Sequence, residues 1–225
     1  MQLQWIPAQQ EQSKETFLKT LAAYKQNASG TSAASNSGVM HNTSSYCFLV
    51  ETPALMESAL KEISSAFFDG NKDIALQLFE AVKTNVFGLA NALLVDQKQA
   101  CTLRLQDLFT EIEWLLHDKP VRAFLYYKDQ IVCTGAVLAS ALLHYFLLEQ
   151  GVDNEFLDVR DCIVASDDFG GAIIIEDITL KKLQQTINTR GIIVTQAGIG
   201  ATDQNENARL TEASNTWLKD VLRGL

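Results

Sequence analysis

Apolar residues recur at three-to-four spacing along most of this chain, interrupted by a few short runs that are apolar throughout. Leu55, Met56, Ala59, Leu60, Ile63 and Phe67 form one helical stripe, Ile74, Leu76, Phe79, Val82 and Phe87 a second, and Leu105, Leu108, Phe109, Ile112 and Leu115 a third. Asp69-Gly70-Asn71 and the stretch around Val95-Asp96-Gln97 separate them, so residues 54–118 are predicted to be a helical segment. An earlier stripe, Phe17, Leu18, Leu21 and Tyr24, predicts a helix over about 10–27 that follows a short opening strand. Residues 129–150 are apolar nearly all round and stop at Gly151, which predicts a buried central helix.

The short apolar runs predict strands. Tyr46–Val50 closes at Glu51-Thr52-Pro53, and Glu155–Leu157, Ala172–Ile175 and Gly191–Thr195 follow. Helices are predicted over 178–188, capped by Asp177, and from Thr211 to Leu222. Residues 27–45 are small and polar and are expected to form a flexible loop. Strands alternating with helices predict an α/β fold, a three-layer α/β/α sandwich whose mainly parallel sheet is covered on both faces. The 225 residues are read as one domain.

Composition narrows the function classes. A formal charge of −9, with 18 Lys plus Arg and no basic cluster, argues against nucleic acid, which needs a concentrated basic face. The first twenty residues contain no signal-peptide apolar core, and there is no long uncharged run of the ~20 apolar residues that a membrane span requires. A cytoplasmic protein without membrane contact is expected. Cys47, Cys101, Cys133 and Cys162 show no paired spacing and are expected to be buried free thiols. His41, His117 and His144 are equally dispersed, and no metal site is assigned.

Residues 129–200 carry a more specific pattern. Val132-Cys-Thr-Gly135 leads into a helix with Leu138, Ser140, Leu142 and Leu143; then come Gly151-Val152, Asp158-Val-Arg160-Asp161, Ser166-Asp-Asp168-Phe-Gly170, and Ile193-Val-Thr-Gln-Ala-Gly-Ile-Gly200. In order and spacing these blocks resemble the aspartokinases of the amino-acid kinase family. The resemblance implies the substrate-binding N-terminal lobe of an amino-acid-kinase-like (carbamate-kinase-like) fold, with 54–118 as its helical insertion. The second lobe, which in that family holds most of the ATP site, and the regulatory ACT domains would lie beyond residue 225.

The positions that carry chemistry in that family differ here. Aspartokinases open with a strand running into Lys-Phe-Gly-Gly-Thr-Ser, whose lysine neutralises the transferring phosphoryl group and whose glycines admit phosphate to backbone N–H groups. This chain has Trp5-Ile6-Pro7-Ala8-Gln9-Gln10. The family's Gly-Glu carboxylate falls on Ala136, and its glycine-rich loop after the second strand falls on Glu51–Met56, where Thr52 is the only hydroxyl. Its Gly-Arg-Gly-Gly-Ser-Asp block falls on Leu210–Asn215, with Thr211 for the arginine, Asn215 for the aspartate, and Ser214 retained. Phosphoryl transfer depends on positioning and charge stabilisation, so joint loss of these groups predicts no kinase activity.

The expectation is therefore a catalytically inactive aspartokinase-like lobe that binds an amino-acid metabolite or a partner protein, with a homodimer or a full-length aspartokinase as partner. Thr52, Asp168, Ser214 and Asn215 are the candidate substrate-binding residues of the remnant cleft, with no catalytic residue and no cofactor. The alternative is a divergent amino-acid kinase or transferase that uses the same cleft, requires ATP and Mg, and takes its ATP lobe from another chain. A wider polar set, Glu51, Thr195, Gln196 and Glu212, would then contribute, because the crevice of an open α/β sheet forms beyond the carboxyl ends of its strands. Asp158 and Arg160 are expected to be a structural ion pair.

Overall fold

A computed structural model describes residues 1–6, 14–30, 46–187 and 191–224. In chain order the elements are β1 (Gln2–Ile6), α1 (Lys14–Gly30), β2 (Tyr46–Val50), α2 (Ala54–Phe68), α3 (Lys72–Leu93), α4 (Lys98–His117), α5 (Phe124–Val132), α6 (Thr134–Glu149) and β3 (Glu155–Phe156). A 3-10 turn at Val159–Asp161 follows, then α7 (Glu176–Thr186), β4 (Ile192–Gln196), β5 (Ile199–Ala201), β6 (Asn207–Arg209) and α8 (Glu212–Gly224).

Four strands form a parallel sheet in the order β1-β2-β4-β3, with Ile6 beside Val50 and Val50 beside Gln196. The predicted α/β fold with a parallel sheet is the one observed. Every residue of β2 is buried, as a strand covered on both faces requires, which explains why Tyr46–Val50 is apolar without alternation. Parallel pairing also sends the ends of β1, β2 and β4 to one edge. There the ladder continues into the loops, through Glu51 N–H to Ile6 O at 3.0 Å and Ala197 N–H to Val50 O at 2.8 Å.

Helix α6 crosses β2, β3 and β4 on one side and meets α4 and α5 on the other, so it is buried from Thr134 to Leu143 without a break. Phe146 of α6 meets Phe17 of α1, and Tyr24 of α1 packs on Tyr46 and Phe48 of β2. Helix α2 packs on α3 and α5, and α3 on α4, which completes the helical segment between β2 and α5. The helical stretch 124–149 is long and apolar enough to cross a membrane, but 83% of its most apolar window is buried in the protein, so packing accounts for its hydropathy.

Several boundaries differ from expectation. The predicted helix over 129–150 begins at Phe124, where Tyr127 Oη accepts from Val121 N at 2.7 Å and Arg122 N at 3.1 Å and fixes the approaching turn. It is interrupted at Cys133, and Thr134 Oγ1 donates back to Ile131 O. The first helix extends through Gly30, so Asn27–Gly30 are helical rather than loop; residues 31–45 of the expected loop, and Pro7–Gln10 of the opening turn, lie outside the described residues. Asp177 is not the cap of α7: Ile175 holds that place without a side-chain bond, and Glu176 and Asp177 lie in the first turn, where carboxylates complement the helix dipole. The antiparallel pair β5–β6 was not predicted.

Candidate functional site

At the carboxyl edge of the sheet lies a cleft of about 740 Å³. Trp5 from β1, Glu51 and Thr52 after β2, Ala197 and Gly198 after β4, Arg209 from β6 and Leu210 just after it form its walls, and α8 adds Glu212, Asn215, Thr216, Lys219, Asp220 and Arg223. Position follows from topology, since parallel strands present their following loops to one crevice.

Local chemistry sets each side chain. Thr211 Oγ1 accepts the N–H of Ser214 at 3.2 Å and so caps the start of α8. One residue on, Asn215 Oδ1 accepts Gly198 N–H at 3.1 Å. Gly198 has φ +76, a conformation that favours glycine, and its N–H is committed to Asn215 inside the protein. Thr52 packs against Gly135 at the start of α6: a Cβ there would sit 2.4 Å from Thr52 Cγ2, so the floor of the cleft has no room for a side chain at 135.

The lining is mixed in charge. Arg209, Lys219 and Arg223 face Glu51, Glu57, Glu212 and Asp220. Arg209 pairs with Glu57 at 3.0 Å, Arg223 with Asp220 at 2.8 Å, and Lys219 with Glu51 at 4.0 Å. The Lys219 ammonium lies over the face of the Trp5 indole, 3.0 Å from its centroid. Burial lowers its pKa from the ordinary lysine value, Glu51 opposes that shift, and Arg223 adds to it. Cys133 also lines the cleft, and complete burial pushes its thiol well above the usual range.

Of the four predicted substrate-binding residues, Thr52 and Asn215 line this cleft. Ser214 is buried beneath it, where its Oγ accepts from Ile174 N at 3.2 Å and from Thr211 Oγ1 at 2.9 Å. Asp168 stands apart in an exposed turn and accepts from Ser166 Oγ at 2.9 Å. From the wider polar set, Glu51 and Glu212 reach the cleft. Gln196 instead ties sheet to helix, donating to Ser140 Oγ and accepting from Val159 N, each at 2.7 Å, and Thr195 Oγ1 is buried without a hydrogen-bond partner. Ala136 is fully buried in α6.

The cations were missed by sequence reasoning. A signal for them exists: positions 212, 215, 216, 219, 220 and 223 form a polar stripe on α8 opposite the buried Leu218 and Leu222.

Beside the cleft, Asp158 and Arg160 form the expected ion pair, at 2.9 and 2.8 Å, and Arg160 reaches Asn207 Oδ1 at 3.1 Å. Asp129 accepts the N–H groups of Gly170 at 2.7 Å and Arg209 at 3.0 Å on one oxygen, while its other oxygen is buried without a partner. Burial raises its pKa, against the two backbone N–H groups that lower it. Gln130 exchanges hydrogen bonds with the backbone of Asn207 at 2.9 and 3.0 Å. These contacts hold β6 and the cleft wall to α5.

No protein-family model and no curated protein matches this sequence. Solved structures do match. Escherichia coli aspartokinase III in complex with aspartate and ADP (R-state) superposes with a TM-score of 0.72 at 16% identity, over 98% of this chain and 46% of that one. The same enzyme in complex with lysine and aspartate (T-state) gives 0.67 at 18% identity, over 88% and 43%. Clostridium acetobutylicum aspartate kinase gives 0.64 at 11% identity, over 98% and 44%. The chain thus has the fold found in aspartokinases and spans less than half the length of each of these three.

Proposed function

We propose that this chain is an aspartokinase-like protein that binds an amino-acid metabolite in the strand-edge cleft without phosphorylating it, and acts through that binding in aspartate-family amino-acid biosynthesis. The carrying observation is the cleft itself: about 740 Å³ beyond the carboxyl edge of the sheet, with polar groups at Thr52 and Asn215 in its lining. Its mixture of Arg, Lys and Glu suits a small zwitterion better than a polyanion. Aspartate is the first candidate, because two of the similar structures are of an enzyme in complex with it. Against phosphoryl transfer stand Trp5 at the end of β1, Thr211 serving as a helix cap, and the Gly198 N–H already donated to Asn215.

The activity would be read out by a partner, either a second copy of the chain or a full-length aspartokinase. A divergent phosphotransferase is the second reading, and Lys219 favours it, since it returns a cation to the end of β1.

Thermal unfolding with millimolar aspartate, homoserine, lysine, threonine and Mg-ATP, singly and paired, tests the proposal. A ligand at a hundredfold over its Kd adds about 2.7 kcal/mol, or roughly 5–10 °C for a chain of this size. The expected result is a shift with one amino acid and none with Mg-ATP alone. A shift with Mg-ATP would favour the phosphotransferase, and no shift with any amino acid would reject metabolite binding.

A further inference from the structure

Three cations line the cleft, and they are held differently. Arg209 is closely paired with Glu57, which also binds Lys61 at 2.7 Å. Arg223 is closely paired with Asp220, and both of those side chains are more than half exposed. Lys219 is 13% exposed, and among the described residues its one ion pair, to Glu51, lies at 4.0 Å, the loosest of the three. Its close neighbour is instead the Trp5 indole. An aromatic face attracts an ammonium group without neutralising it, so the charge is positioned and remains available to an anion.

We infer that Lys219, held against the Trp5 indole, is the oxyanion-binding group of the cleft, taking the carboxylate or phosphate of a small-molecule ligand. The inference rests on the cleft being a ligand site, and it deepens that reading by naming the group that selects the ligand's charge. Lys219 comes from α8 while Trp5 comes from β1, so the two elements together build the position. Thr52 and Asn215 line the same cleft and offer hydrogen bonds to the remainder of the ligand. The lowered pKa of Lys219 agrees with a partly desolvated ammonium that gains from a bound anion.

Trp5 provides the readout, because an anion drawn to the ammonium above its ring changes its emission. The wild-type protein, Lys219→Met, Lys219→Arg and Trp5→Phe are titrated with sodium succinate, inorganic phosphate and L-aspartate, and indole emission is followed; Trp5→Phe identifies the signal of residue 5. Lys219→Met keeps the stem on the indole, and its unliganded melting temperature controls for folding. At least one probe is expected to saturate the wild-type signal, to bind Lys219→Met about tenfold or more weakly, and to bind Lys219→Arg with intermediate affinity. Succinate or phosphate binding that depends on Lys219, with no aspartate binding, supports the lysine while rejecting aspartate as the ligand. Aspartate binding equally well to wild type and to a folded Lys219→Met overturns the lysine and leaves the amino-acid reading standing. Absence of binding by all three probes overturns the lysine and rejects aspartate as the ligand.

Discussion

Asp129 is a buried carboxylate whose position makes its protonation a matter of stability. One oxygen accepts two backbone N–H groups, the other has no partner, and burial raises its pKa. An unfolded aspartate titrates near ~3.9. A group whose folded value lies above its unfolded value stabilises the fold fully below the unfolded value and loses that contribution as pH rises through the folded one. At neutral pH the ionised form therefore costs stability. Asp129→Asn keeps an acceptor for Gly170 and Arg209 and removes the charge, so its urea midpoint should exceed wild type at pH 7, with the difference fading toward pH 4. Asp129→Ala, which orphans two N–H groups, should lose about 2 kcal/mol or more at both pH values. A wild-type to Asn difference that does not vary with pH would contradict this reading. At this scale the sequence was only partly legible. Thr52 and Asn215 follow a strand end and a helix start, where side chains meet a crevice; Lys219 sits on the polar stripe of α8 but reaches the cleft only because α8 packs on β1, and Arg209 lies on a strand too short to carry a pattern. Ser214, placed by the motif, is occupied in holding Ile174.

The element that shapes the cleft wall is β6, and it is held by side chains more than by strand pairing. It pairs with β5 over three residues, while Asp129, Gln130 and Arg160 bind it from other elements. That explains why the β5–β6 pair escaped prediction: three-residue strands carry no alternation, and Asn205 (φ 60) in the turn between them is a weak signal. Long helices with apolar stripes, such as α2, α3 and α4, were legible to within a few residues because burial of one face dictates the stripe. Arg160 and Asp158 are 16% and 11% exposed, and removing one partner of a mostly buried pair leaves a charge poorly compensated. Arg160→Ala should cost about 3 kcal/mol in urea unfolding, since Arg104 at 3.6 Å offers Asp158 only a distant replacement. Arg160→Lys should fall between, because it keeps the charge and loses the fork. A cost for Arg160→Ala within ~0.5 kcal/mol of zero would mean that the pair behaves as a surface bridge.

At the scale of the whole molecule, a four-stranded parallel sheet buried under helices places every strand end on one edge, and the cleft follows from that arrangement. The order of motifs over residues 129–200 pointed to the aspartokinase fold, and the structural matches at 11–18% identity show that fold. Motif order survives at such identities because glycines and buried apolar positions are set by the fold, whereas the polar groups of a cleft are free to change. The decisive measurement is a calorimetric titration of L-aspartate into the purified protein in the presence of Mg-ATP. Binding without phosphorylation predicts heats that saturate and return to baseline after each injection. A sustained heat signal that persists while aspartate and ATP remain would show turnover, and no heat above dilution would show that aspartate is not bound; either would contradict a cleft that binds aspartate without phosphorylating it.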